Sequence, residues 1–91
     1  MPKRLYVYLT DEPLFNVSVE DEIVAGPFRA VVVEDGRRKE AALYFYLEGE
    51  VKRDEDAQEH MLNPEIRGVV IDEDYNHYSI ADFDEAIFHL G

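Results

Sequence analysis

Residues Phe28–Leu47 read FRAVVVEDGRRKEAALYFYL. The run from Phe28 to Glu34 is apolar and β-branched, Asp35-Gly36 follows, and Ala41 to Leu47 is again apolar. Asp-Gly between two such runs specifies a tight hairpin, because both central positions accept positive φ. Along the second strand Leu43, Phe45 and Leu47 point one way while Ala42, Tyr44 and Tyr46 point the other, since successive side chains alternate across a strand. Arg37, Arg38 and Lys39 fall just past the turn, within reach of solvent. An antiparallel sheet is therefore the frame into which the remaining segments must fit.

Upstream, Leu5, Val7 and Leu9 alternate with Tyr6, Tyr8 and Thr10, and Phe15, Val17 and Val19 alternate with Asn16, Ser18 and Glu20. Period-two alternation predicts a strand in each, joined as a hairpin across Asp11-Glu12-Pro13. Ile23-Val24-Ala25 predicts a brief strand or bulge. Downstream the pattern changes. Asp54–Leu62 predicts a short helix with Asp54 at its N-cap, ended by Asn63-Pro64. Ile66–Ile71 predicts a strand and Asp72–His77 a polar loop. Ser79 reads as the N-cap of a closing helix with Asp82, Asp84 and Glu85 in its early turns, Ile80, Phe83, Ile87 and Leu90 on one face, and His89 and Gly91 at its end. The expectation is one α+β domain over residues 1–91: a mostly antiparallel sheet of four to six strands, a short middle helix, and a C-terminal amphipathic helix packed on one sheet face. A small open barrel plugged by that helix is the alternative.

Composition narrows the function. With 46% hydrophobic residues, the 91-residue chain supplies one modest core. Cysteine is absent, which removes disulfides and thiolate sites and points to a reducing cytoplasm. Met1-Pro2-Lys3-Arg4 is basic, but Leu5–Leu9 is too short for the apolar region of a signal peptide. No apolar stretch approaches the roughly 20 residues of a membrane helix. The net charge of −12 opposes direct contact with nucleic acid or anionic membranes and favours a basic protein partner. The charge is also unevenly written: residues 1–53 carry 10 acids and 8 bases, whereas residues 54–91 carry 11 acids and a single base, Arg67.

Chemical signatures are incomplete. Asp72-Glu73-Asp74-Tyr75-Asn76 supplies the first three oxygen positions of an EF-hand loop, but His77 stands at the glycine position and Phe83 at the bidentate glutamate position. It reads better as a solvated acidic turn, with a small ligand- or divalent-metal site over Asp72–His77 as the alternative. His60, His77 and His89 lack the spacing of a zinc site. Ser18, Ser79 and Thr10 lack a nucleophile's sequence context, and the five glycines form no phosphate loop. The sequence predicts no catalytic residue, no cofactor and no metal. Tyrosine pairs at Tyr6/Tyr8 and Tyr44/Tyr46 would form one ladder of rings if their strands were neighbours. Partner binding is expected at Asp72, Glu73, Asp74, Tyr75, Asp82, Asp84, Tyr44 and Tyr46, from carboxylates that steer and tyrosines that anchor.

Over Gly26–Asp56, the residues Arg29-Ala30-Val31, Tyr44-Phe45-Tyr46, Gly49-Glu50 and Asp54–Glu59 follow an order of Arg-Ala-Val strand, aromatic strand ending in Gly-Glu, and acidic helix. In this the chain resembles small acidic bacterial proteins of immunity-like type. The resemblance implies a toxin-neutralising role carried by acidic and aromatic surface residues. The resulting expectation is a non-enzymatic protein that inhibits or modulates a basic partner, either a nuclease toxin or a nucleic-acid-binding enzyme met by mimicry of DNA phosphates. An oligomerising structural subunit, such as a homodimer joined through the tyrosines, is the other alternative.

Overall fold

The computed structural model describes residues 2–90. Its elements are β1 (Lys3–Tyr8), β2 (Ile23–Glu34), β3 (Arg37–Arg53), β4 (Glu59–Asp72), β5 (His77–Ser79), a single 3-10 turn (Ile80–Asp82) and β6 (Glu85–His89). They form one 6-stranded sheet in the order β5-β4-β3-β2-β1-β6. All neighbours are antiparallel except β1 and β6, which run parallel. The Asp-Gly hairpin forms as its residues require: Asp35 has φ 53° and Gly36 φ 74°, the pair of positive values that a two-residue turn needs to match strand twist.

One face of the sheet holds the main core. Leu5, Val7, Ala30, Val32, Ala41, Leu43 and Val70 are buried there together, and Phe45, Tyr78, Ile80 and Phe83 pack against them. The sheet curls over this face. Lys3 of β1 lies over the Tyr78 ring of β5, 5.0 Å from its centroid, although three strands separate β1 from β5 in the sheet. The chain from β5 to β6 spans the mouth of the curl, where the Asp84 amide donates to the Lys3 carbonyl at 2.8 Å. The opposite face is also covered: Val31, Ala42, Tyr44 and Ile71 are buried on it. Residues 11–22 cross this second face. The Arg29 amide donates to the Asp11 carbonyl at 3.0 Å, and Phe15 sets its edge against Tyr75 at 6.2 Å.

Among the described residues both expected helices are absent, and the α+β assignment gives way to a nearly all-β fold, with 64% of residues in strands and 3% helical. At Asp54 the capping chemistry is present but closes a hairpin. The Asp54 carboxylate accepts from the amides of Asp56 and Gln58 at 3.0 and 2.9 Å, and Ala57 adopts φ 60°. A short acceptor side chain bonding amides just ahead of it begins a turn as readily as a helix. Few apolar residues follow to give a helix a buried face, so strand pairing decides the outcome. Asn63-Pro64 is then no helix stop. β3 pairs Glu48 with Glu65 and Glu50 with Leu62, so Asn63 and Pro64 stand opposite Gly49 alone, a bulge in β4 with Asn63 at φ 49°.

The Ser79 cap is real but holds a single turn. Ser79 Oγ accepts from the Ala81 amide at 3.3 Å, and the Ser79 amide donates to Asp82 Oδ2 at 2.9 Å. Phe83 then takes extended angles (φ −94°, ψ 138°) and Glu85–His89 pairs with β1. Ile80 and Phe83 reach the core as a helix would place them. Beyond them, however, pairing the open edge of β1 outweighs helical propensity, and Leu90 is left 83% exposed. The helix end expected at Gly91 lies outside the described residues. The hairpin expected between Leu5–Leu9 and Phe15–Val19 does not form either, since β2 takes the place beside β1. Phe15, Val17 and Val19 are half-buried between exposed neighbours. Their alternation records an extended chain lying on the sheet, without a ladder.

Candidate interaction surface

The predicted acidic loop is a structural turn. Asp72 is fully buried, and its carboxylate accepts from the amides of Asp74 and Asn76 (both 2.9 Å), from Asn76 Nδ2 (3.1 Å) and from the Tyr78 hydroxyl (2.9 Å). Burial by itself would raise its pKa. The Asn76 backbone and side chain, Tyr78 and the Asp74 amide together overcome that and hold it below the ordinary aspartate value. Both oxygens are occupied, so Asp72 organises the β4–β5 connection and is turned away from any ligand. No cluster of three metal-ligating side chains occurs among the described residues.

The other expected binding residues part company. Asp74 is bound to Lys39 Nζ at 2.8 Å. Asp82 caps Ser79. The Asp84 carboxylate takes the Lys3 amide at 2.6 Å, which helps to hold β6 against β1. Tyr44 is 3% exposed; burial first, then the nearby Asp21 carboxylate, pushes its phenol upward. Glu73 and Tyr75 face solvent at the β4–β5 turn, and Tyr75 reaches the Asn16 carbonyl at 3.5 Å. Tyr46 is half-buried and lines an open groove of about 550 Å³ with Asp21, Arg67, Val69 and His77. The four-ring ladder does not form, because β2 lies between β1 and β3. Tyr8 stacks instead on His89 at 5.0 Å. The Arg29 guanidinium lies 4.9 Å from the Tyr8 ring while gripping Glu40 with two nitrogens at 2.8 and 3.2 Å.

Charge that is segregated in sequence is partly recombined in space. Arg4 meets Glu85 at 3.5 Å, Lys39 meets Asp74 at 2.8 Å, and Arg53 meets Glu59 at 3.3 Å. The acids of residues 54–91 therefore do not form one uncompensated surface.

The prominent surface lies elsewhere. β2 pairs β3 only as far as Tyr46, and β5 pairs β4 only from Val69. Between these limits residues 47–68 are a two-stranded ribbon that projects from the sheet, and the molecule measures 54 × 25 × 25 Å. Leu47 pairs with Ile66 and Val51 with Met61. Counted along β3 from the core residue Phe45, with Ile66 and Met61 placed by their ladder partners across the β4 bulge, these four fall on the side that is buried in the body. Here they are 39%, 63%, 55% and 39% exposed. The other side carries Glu48, Glu50, Glu65 and Lys52. Glu48 and Glu65 share Arg67, at 3.4 and 2.7 Å, while Glu50 is in no salt bridge among the described residues. Sequence reasoning missed this ribbon by assigning its second half to a helix. The signal was there: the alternation of Leu43, Phe45 and Leu47 continues through Gly49 to Val51 with Glu48 and Glu50 between.

No helix among the described residues is long and apolar enough to cross a membrane. Comparison with protein-family models, characterised proteins and solved structures finds no match.

Proposed function

We propose that the chain is a non-enzymatic interaction protein that captures a basic protein and inhibits or modulates it, with the projecting ribbon as its binding element. The observation that carries this reading is the ribbon's exposed apolar stripe backed by carboxylates. Contiguous apolar surface left uncovered on a small domain marks an interaction site, and an acidic surround steers a basic partner toward it. The acids that the sequence offered for this task, Asp72 and Asp82, are engaged in holding turns. Glu48, Glu50, Glu55 and Asp56 of the ribbon and its tip take their place.

The test is a panel of basic nucleases and DNA-binding domains presented to the immobilised chain at low and high salt. At least one should bind with an association rate that falls steeply with salt. Glu48→Gln/Glu50→Gln should slow that association about tenfold and flatten the salt dependence. If every member binds no better than an acidic control protein of equal size, the reading is wrong.

A further inference from the structure

The ribbon offers two unpaired edges, and they differ. On the β4 side, Glu59–Gly68 is interrupted by the Asn63-Pro64 bulge. Proline lacks a donor and the bulge breaks the repeat, two recognised ways of blunting an edge. On the β3 side, Leu47–Arg53 (LEGEVKR) has no proline and no extra residue. Its backbone makes no hydrogen bond beyond the β3–β4 ladder among the described residues. Along it, side chains alternate: Leu47, Gly49 and Val51 on the apolar side, Glu48, Glu50 and then Lys52 on the other, while Arg53 at its far end is paired with Glu59. The run Glu20-Asp21-Glu22 leads into β2 at Ile23, which pairs with Tyr46, so further carboxylates stand at the base of this same edge.

Resting on the function proposed above, we infer that the β3 edge at Leu47–Arg53 takes up the partner by strand addition. The occupant is an extended basic segment in which Lys or Arg alternates with apolar residues. Added as a new outer strand, it would bond its backbone to β3, lay its apolar side chains beside Leu47 and Val51, and set its cations against Glu48 and Glu50. Charge selects this occupant over a second copy. In the two-fold register centred on Gly49, which sets Leu47 against Val51 of the copy, Glu48 faces Glu50 of the copy, and like charges facing across strands are destabilising. The net charge of −12 adds to that repulsion.

The experiment uses the full chain and synthetic peptides. One peptide alternates Lys with Val; a second has the same composition in two blocks; a third alternates Glu with Val. Two further versions of the first carry N-methyl groups on alternate residues, one on each parity. Titration calorimetry and backbone amide shifts of the chain are read together. The alternating Lys peptide should bind about tenfold or more tighter than the block peptide and shift the amides of Leu47–Arg53. The Glu peptide should not bind, and one N-methylated version should lose binding while the other keeps it. Glu48→Lys/Glu50→Lys should transfer the preference to the Glu peptide. Equal binding of both N-methylated versions, or of alternating and block peptides, would overturn strand addition even while basic proteins still bind through Glu48 and Glu50. Silence toward both peptides and basic proteins would overturn this inference and the proposed function together. Concentration-dependent dimerisation that shifts the same amides would overturn the choice of occupant.

Discussion

The strand β3 passes through two environments within one run of alternating residues. In its first half, Ala41, Leu43 and Phe45 lie between β2 and β4 and under the curl of the sheet, and Leu43 is 0% exposed. In its second half, Leu47 and Val51 continue the same face with β4 as the sole neighbour, at 39% and 55% exposure. The local pattern is unchanged; what changes is how many partners the strand has. An apolar residue in the body is committed to the fold, whereas one in the ribbon contributes little to folding and remains available to another molecule. This division of labour is the basis for placing function in the ribbon.

Truncating the same face in both halves should separate body from ribbon most strongly. Leu43→Ala should cost about 3 kcal/mol, because it removes buried methyl groups and leaves a cavity that the flanking strands cannot close. Val51→Ala should change stability by no more than about 0.5 kcal/mol, as for an exposed position. Urea denaturation of both variants measures the difference. Comparable losses would mean that the ribbon is packed against something in solution, and the distinction between body and ribbon would fail.

Next in size is the turn at Asp72, which anchors the far side of the body. Asp72→Asn should cost about 2 kcal/mol at neutral pH, since a charged acceptor of four hydrogen bonds is replaced by a neutral amide that must turn a donor toward some of them. The pH dependence has a definite sign. The folded-state pKa of Asp72 lies below the ordinary value of about 3.9. Its charge therefore contributes stability in full above that value, and the contribution is lost as pH falls through the folded-state pKa. Denaturation at neutral and acid pH should show the gap between wild type and Asp72→Asn narrowing at the acid end. A gap that widens on acidification would contradict this role for Asp72.

These two positions also show how much was legible beforehand. The Asp35-Gly36 hairpin, β1 and the faces of β3 follow from period and turn chemistry, which act over a few residues. The second half of the chain does not, because its signals serve two structures. Asp54 and Ser79 each bond the amides just ahead of them, as a helix cap and a turn both require. What separates the two outcomes is distant: for Asp54 the continuation of β3, for Ser79 the vacant edge of β1. Asp72 was legible as a loop carboxylate but not as a buried one, since the partners that bury it, Tyr78 and Lys39, lie on β5 and β3. The surface reading suffered likewise. Counting charge along the chain placed an acidic excess in residues 54–91, yet the fold brings Glu59, Asp74 and Glu85 to bases of residues 1–53. The pairing of Arg4 with Glu85 and of Lys39 with Asp74 depends on strand order, which no local count contains.

The smallest expected effect lies at the ribbon's tip and sharpens the contrast from the other side. Asp54 accepts from Asp56 and Gln58 and also meets His60 Nε2 at 2.7 Å. That His60 contact is the foremost reason its pKa is lowered. All of these groups are exposed to water, where such bonds hold a local shape and add little to global stability. Asp54→Ala should therefore leave the urea midpoint unchanged while the amides of Asp56 and Gln58 exchange several-fold faster. Protection at Leu43 and Val70 in the body should stay as it was. Faster exchange that spread through β4 into Val70 would show ribbon and body unfolding as one unit. An effect confined to the tip is what a ribbon stabilised only by its own ladder should give.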